Sequence, residues 1–377
     1  IMSRLTYEQL EAIKAQHGVD RIWSYSRWDS FMQYPWVYRM HYLEKIKSEG
    51  SIYTHWGTIC HDIIQGFYDG EYTYDKMVKI FENKAVEWKR KGEYKFMSEK
   101  VEKSYIRNLH NYFKETEVIP YKVVNEVPIK IVMKDNKNEG KDIVFIGYAD
   151  SVYTDDDGIT YILDYKTSSK SGFSGSHLEN EKSRQLKLYA IGLHQMRGIP
   201  YDKLRCRFDL QKYYEVWYHS TNAKGAKSIT KSKQERCAWV GGMVEKLNKE
   251  LSKLGYDPFE IDEIVERCVD SNSIKDLPES VQDKFELKNC YIDVAISEES
   301  ANSLQELMVD VVNEIRQKEL EDWDVVFPEP DIFGDRSNQF YFETLQQHLL
   351  PFAKKYQEAK SMVDGSASDE DLLALFN

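Results

Sequence analysis

Two carboxylates and a lysine stand out for the chemistry they can share. Asp150 ends the apolar run Ile143-Val144-Phe145-Ile146-Gly147-Tyr148-Ala149, and Asp164 and Lys166 lie in Thr160-Tyr161-Ile162-Leu163-Asp164-Tyr165-Lys166. Both runs favour strands, and Asp155-Asp156-Asp157-Gly158 between them is a turn signal, so the segment reads as a β-hairpin. Residues i and i+2 share a face of a strand, so Asp164 and Lys166 point the same way. Hairpin pairing can bring Asp150 beside Asp164. Carboxylate oxygens are the ligands that hard divalent cations prefer. Such a cation polarises a phosphoryl oxygen and lowers the pKa of bound water. An ammonium nearby can orient or deprotonate that water, or offset charge developing on the phosphate. The chemistry these residues suit is metal-assisted phosphodiester hydrolysis. A lone Asp-x-Lys is more often a surface ion pair, so the flanking motifs decide.

Those motifs follow in order along the chain. They are Ser24-Tyr25-Ser26, Tyr34-Pro35, Gly57-Thr58-Ile59-Cys60-His61, Gly147-Tyr148-Ala149-Asp150, Asp164-Tyr165-Lys166, and Gln185 with Tyr189. With this series, from about residue 22 to 353, the chain resembles the RecB-like branch of the PD-(D/E)xK nucleases, which includes phage and CRISPR-associated exonucleases. The resemblance implies an α/β fold: a restriction-endonuclease-like αβββαβ core with a mixed sheet, elaborated by N- and C-terminal helical regions. It implies that His61, Asp150, Asp164 and the backbone carbonyl of Tyr165 bind Mg²⁺ or Mn²⁺, with Glu126 a further acidic candidate. Lys166 is then expected to position or activate water. Gln185 and Tyr189 are expected to contact the DNA backbone or support the site.

The residues carry part of this on their own. His61 opens the helical stretch His61-Asp62-Ile63-Ile64-Gln65-Gly66-Phe67, whose Ile64 and Phe67 would face the core. Imidazole suits Mn²⁺ better than Mg²⁺. Gln185 and Tyr189 lie at i and i+4, one above the other on a helix, beside the apolar Leu186, Leu188, Ile191 and Leu193. Glu126 sits in the strand-like Val123-Val124-Asn125-Glu126-Val127-Pro128-Ile129.

Departures from the family pattern are equally informative. Many RecB-like nucleases hold an iron–sulfur cluster with one cysteine near the N-terminus and three near the C-terminus. The first belongs where this chain has Tyr34, and the others near Phe342, Leu345 or Gln346, and Phe352. Cluster ligation needs thiolates, so no iron–sulfur cluster is expected. An apolar clasp of Tyr34, Phe342 and Phe352 is expected to tie the chain ends instead. The five cysteines, Cys60, Cys206, Cys237, Cys268 and Cys290, are scattered and odd in number. With no signal peptide or long apolar segment, they suggest reduced thiols in a cytoplasm, the host's if the gene is phage-borne. Cys60 reads as a buried thiol, and Ile1 ahead of Met2 as a cloning remnant.

The chain has 377 residues, 41% hydrophobic and 13% aromatic, with a formal charge of −12. That fits a folded globular protein but not a generally basic DNA binder. Two local clusters offset this: Lys224, Lys227, Lys231, Lys233 and Arg236, and Lys84, Lys89, Arg90, Lys91 and Lys95 with Trp88 and Tyr94 interleaved. Cationic and aromatic side chains together suit phosphates and bases. No phosphate-binding Gly-x-x-x-x-Gly-Lys motif occurs, so no ATP motor is expected.

The elements that must position these residues divide the chain into five. Residues 1–116 read as an N-terminal helical region carrying His61. Residues 117–220 form the nuclease core, with strands near 121–133, 143–153, 159–166 and 203–219, and a mobile loop at 167–178. Residues 221–288 read as a helical insertion. Residues 289–360 form a strand and helices, with Leu304, Leu307, Val311, Val312 and Ile315 on one helix face. Residues 361–377 form a tail, in which an acidic Asp369-Glu370-Asp371 precedes Leu372-Leu373-Ala374-Leu375-Phe376. Such a tail suits docking on a sliding clamp, a single-stranded DNA-binding protein or a helicase. The expected activity is a DNA exonuclease of replication, recombination or repair, acting on ends or single strands, with no membrane association. A structure-specific endonuclease, an RNA-processing nuclease and an inactive DNA-end-binding module are the alternatives.

Overall fold

The computed structural model describes residues 4–221 and 225–363. Seven strands form one mixed sheet: β1 (Ile22–Trp23), β2 (Val124–Asp135), β3 (Lys141–Thr154), β4 (Thr160–Lys166), β5 (Leu204–Thr221), β6 (Lys227–Glu235) and β7 (Phe285–Val294). The strand order is β1-β3-β4-β5-β6, with β2 added to β3 and β7 to β5. The β4–β5 and β1–β3 pairs are parallel and the others antiparallel.

The N-terminal helices are α1 (Tyr7–His17), α2 (Tyr25–Gln33), α3 (Pro35–Tyr38), α4 (Ile52–Tyr68), α5 (Tyr74–Lys91) and α6 (Glu99–Glu115). The short α7 (Gly175–His177) and α8 (Arg184–Arg197) follow β4, and α9 (Val244–Lys253), α10 (Pro258–Ser271) and α11 (Glu279–Gln282) lie between β6 and β7. Beyond β7 come α12 (Glu298–Lys318), α13 (Trp323–Val326), α14 (Arg336–Phe340) and α15 (Lys354–Val363).

Hydrophobic patterning assigns these helices to the two faces of the sheet. α4 starts at Ser51, whose hydroxyl accepts from the Thr54 amide in a capping box. Its Ile52, Trp56, Cys60, Ile63 and Ile64 are buried with Phe81 of α5 and Leu109 and Phe113 of α6. Each such side chain contributes roughly 1.5–3 kcal/mol when fully buried. The opposite face is covered by Trp28 and Phe31 of α2, by Leu186, Leu188, Ile191 and Leu193 of α8, and by Leu304, Val311, Val312 and Ile315 of α12. A third cluster packs α9 and α10 on Tyr214 and Val216 of β5.

β5 is the axis of the molecule. Its first half pairs with β4, and its second half pairs with β6 on the same side, so β6 continues the track that β4 leaves at Lys166. Between Asp209↔Tyr291 and Tyr214↔Asn289, β5 advances five residues while β7 advances two. This bulge swaps the faces. Phe208 and Leu210 pack towards α8, whereas beyond the bulge Tyr213 does so, and the Tyr214 hydroxyl reaches Glu115 of α6.

Several expectations change. Residues 227–235 are a strand, not part of a helical insertion, because pairing with β5 outweighs a composition without strand periodicity. Arg236 is fully buried, its guanidinium donating to the Gln211 carbonyl and to Asn289, so it leaves the basic cluster; Lys224 lies outside the described residues. Trp88 is buried in the helical core and is not open to bases. The loop after β4 is anchored by Phe173, buried edge-on against Phe208. The chain ends do meet through Tyr34 and Phe342, with ring centroids 5.1 Å apart. Phe352, however, is 49% exposed, and Leu349 and Leu350 fill the place expected for it. The docking peptide Asp369–Phe376 lies outside the described residues. Among those described, no helix is long and apolar enough to cross a membrane.

Asp209 is buried beneath β5, where it accepts a 2.7 Å hydrogen bond from Tyr112. Its second oxygen has no hydrogen-bond partner. Burial pushes its carboxyl up to about 6, against the pull of Tyr112 and the nearby arginines. The folded chain thus holds this proton more tightly than the unfolded one, whose value is about 3.9. Stability must fall as pH rises from about 4 to about 6 and, for this group, stay level above. Denaturant unfolding of wild type and Asp209→Asn across pH 4–7 checks this. The variant should gain on wild type by about 2–3 kcal/mol as pH rises through that window.

Candidate active site

The site forms at the C-terminal end of β4, the end of a parallel strand where ligands collect in open α/β sheets. The β3–β4 register, Ser151↔Leu163, sets Asp150 across from Asp164 one pair further on. The β2–β3 register sets Glu126 across from Asp150 on the other side, between Asn125↔Ser151 and Val127↔Ala149. Glu126 has φ +47°, a left-handed conformation that interrupts the ladder at this point. Backbone strain of this kind costs on the order of 1–3 kcal/mol and concentrates at functional sites.

His61 reaches the row from α4. Its Nε2 is 3.1 Å from the carbonyl oxygen of Tyr165 and 3.5 Å from Asp150 Oδ2. The same Asp150 oxygen accepts from the Tyr165 amide at 3.0 Å. Lys166 Nζ is 2.8 Å from Asp164 Oδ2. The sequence-expected residues His61, Asp150, Asp164, Tyr165 and Lys166 therefore converge, and Glu126 stands in the same row.

The electrostatics follow from enclosure. Burial, and then Asp164 across the hairpin, push the Asp150 carboxyl up to about 7 despite His61 and Lys166. Burial alone would lower Lys166, but Asp164 and Asp150 more than offset it, so the ammonium keeps its proton above its ordinary range. Burial also pushes the Tyr189 hydroxyl up to about 12.

Tyr165 fixes the geometry from below. Lying between Asp164 and Lys166, it points to the opposite face, and its hydroxyl is 3.2 Å from Ser151 Oγ. Ser151 donates to Asn125 at 2.7 Å, and Asn125 donates to Asp69 at the end of α4 at 2.8 Å. The helix carrying His61 is thereby tied to the strands carrying Asp150 and Tyr165. Sequence reasoning missed this chain of contacts, because Ser151, Asn125 and Asp69 lie on separate elements.

The donor atoms suit a divalent cation. In an octahedron with bonds of about 2.0–2.1 Å, adjacent ligand atoms stand roughly 3 Å apart. His61 Nε2, the Tyr165 carbonyl and Asp150 Oδ2 are spaced by 3.1 and 3.5 Å. Among the described residues, no three His, Cys, Asp or Glu side chains form a cage by themselves. The Tyr165 carbonyl is a further oxygen beside His61 and Asp150, and Asp164 pairs with Lys166.

Gln185 Nε2 donates to the Tyr189 hydroxyl at 3.0 Å, as their spacing implied. The Tyr189 ring lies directly on Gly147, where an added Cβ would fall 2.4 Å from ring carbon Cε1. The glycine three residues before Asp150 is thus a seat for Tyr189. Gly147→Ala should destabilise the fold by about 1–3 kcal/mol, as overpacking does, in urea unfolding. Tyr189→Phe, which keeps the ring but drops the hydroxyl, should cost less.

Comparison with known proteins gives the family. A search of curated proteins gives no match. Among solved structures, one titled "Crystal structure of SSO0001" shares 14% identity over 56% of this chain and 74% of that one, with a TM-score of 0.18, too low to carry an argument. A family model described as the PD-(D/E)XK nuclease superfamily matches residues 22–325, a span holding His61, Asp150, Asp164, Lys166, Gln185 and Tyr189. On that match over most of its length, the chain belongs to the PD-(D/E)XK nuclease superfamily.

Proposed function

We propose that this nuclease is a Mg²⁺- or Mn²⁺-dependent DNA exonuclease of RecB-like type, serving replication, recombination or repair in a phage-like setting. The superfamily uses divalent metals. The observation that carries the reading is the convergence of His61, Asp150, the Tyr165 carbonyl and the Asp164–Lys166 pair at one strand end. Asp150, Asp164, His61 and the Tyr165 carbonyl would hold the metal, with Glu126 as a further acid in the row. When bound, the metal polarises the scissile phosphate and lowers the pKa of a bound water.

The protein's own groups do the rest. Lys166 is held protonated by two carboxylates. It therefore acts as a positioned cation that orients water and offsets charge growing on the phosphate, rather than as a base. Asp150, whose carboxyl burial and Asp164 push up to about 7, would release its proton to water as it takes up a cation. Gln185 and Tyr189 stay neutral and present hydrogen-bonding groups to the sugar-phosphate backbone. Partners such as a sliding clamp, a single-stranded DNA-binding protein or a helicase belong to the tail, outside the described residues.

Digestion of end-labelled linear and of circular DNA with Mg²⁺ or Mn²⁺ tests the reading. Linear DNA alone should be degraded, and Asp164→Ala and Lys166→Ala should each lower the rate at least about a hundredfold. His61→Ala should raise the Mn²⁺ concentration for half-maximal rate about tenfold or more. Cutting of circles would make the protein an endonuclease. No cleavage with any metal would leave a binding module or a nuclease that needs a partner, which a repeat with a helicase or clamp would separate.

A further inference from the structure

Beyond the site, β5 and β6 carry the sheet onward, and the outward face of this extension has an unusual composition. Trp217 on β5 has a lysine over its ring from each neighbouring strand. Lys231 of β6 lies 3.9 Å from the ring centroid and Lys288 of β7 lies 4.3 Å from it. Lys233 follows two residues along on the same face of β6. Lys170, in the loop leaving β4, lies 5.6 Å from the Tyr213 ring and donates to the Lys233 carbonyl at 2.7 Å. This cationic stripe begins in the loop that leaves the catalytic strand and runs outward.

We propose that this face binds the single-stranded part of a DNA substrate, with Trp217 stacking on a base and Lys170, Lys231, Lys233 and Lys288 on phosphates. The inference rests on the nuclease reading and adds to it the path of the strand. Three observations support it. The bulge in β5 turns Trp217 towards the face that carries Asp164 and Lys166 in β4. β6 occupies the track that β4 vacates, so the stripe lies in line with the site. Measured along β7, which has no bulge, Trp217 at Glu286 lies five residues from the Asp209↔Tyr291 pair beside the site, which is about 17 Å at strand rise.

The charge balance supports an anionic occupant. The chain carries −12 overall, yet here two ammonium groups crowd one indole. Glu215 accepts from the Trp217 ring nitrogen and lies 3.9 Å from Lys231, while Glu286 pairs with Lys288 at 2.9 Å and with His219 at 3.3 Å. These two carboxylates hold the platform in shape, and among the described residues neither Lys170 nor Lys233 forms an ion pair. An aromatic face flanked by lysines stacks bases of any sequence while its cations follow the backbone. A duplex keeps its bases paired and stacked inside, so a half-buried indole rimmed by lysines has no base to stack on in it.

Binding of a fluorescein-labelled oligothymidine to the full chain, measured by anisotropy in EDTA, tests the inference apart from cleavage. Trp217→Ala should weaken binding about tenfold or more, and Trp217→Phe should restore most of it. Lys231→Gln with Lys288→Gln should flatten the dependence of affinity on salt, at an unchanged melting temperature. Equal affinity and salt slope in all variants, no binding by wild type, or tighter and Trp217-independent binding of a duplex would overturn the inference; the last two would leave the stripe to another partner. Cleavage by wild type with unchanged oligothymidine binding would remove only this inference. Trp217-dependent binding without cleavage would remove only the exonuclease.

Discussion

Two carboxylates enclosed a few ångströms apart need positive charge between them. Asp150 and Asp164 face each other across a hairpin whose register leaves neither room to turn away. Lys166, two residues from Asp164 on the same face, supplies one cation. His61, reaching down from α4, supplies a polarisable nitrogen beside Asp150. The residual frustration appears as a carboxyl that holds its proton to about 7, which is the condition under which a divalent cation is most welcome. Much of the surrounding structure keeps these groups from relaxing apart.

β4 does this by using both of its faces. Asp164 and Lys166 face the candidate site, while Tyr165 between them is sunk into the helical side and bonded through Ser151 and Asn125 to the end of α4. A backbone carbonyl is a good ligand only if its peptide cannot rotate, and this relay fixes it. On the other side, Gly147 lets the Tyr189 ring press against β3 so that α8 lies close over the strands.

The placement of these side chains was legible in the sequence because it is local. An i, i+2 pair on a strand, an i, i+4 pair on a helix and a turn between apolar runs all survive in order, and the helical character of the region around His61 and of the long segment after β7 was equally readable. What was not legible depends on distant partners. β6 has few apolar residues and becomes a strand because β5 offers it an edge. β1 is two residues long and exists through Val144 and Phe145. Arg236 resembled its neighbouring lysines, yet Asn289 and Gln211 draw it into the interior. Trp88 looked like a base-stacking residue among lysines, and helical periodicity turns it inward.

The bulge in β5 governs more than its own neighbourhood. Alternation along a strand has only two phases, and the surplus of β5 over β7 between Asp209 and Tyr214 is odd. Every side chain downstream therefore takes the phase opposite to the one it would have in an uninterrupted strand. Tyr214 and Val216 are directed onto α9 and α10, and Trp217 outward. Loss or gain of a single residue between 210 and 213 would invert that phase, sending Trp217 into the helices and Tyr214 and Val216 into water. Length variation at this point is thus confined to steps of two, although the segment contributes no side chain to the candidate site. The spacing of the chain here carries information that no individual residue type does.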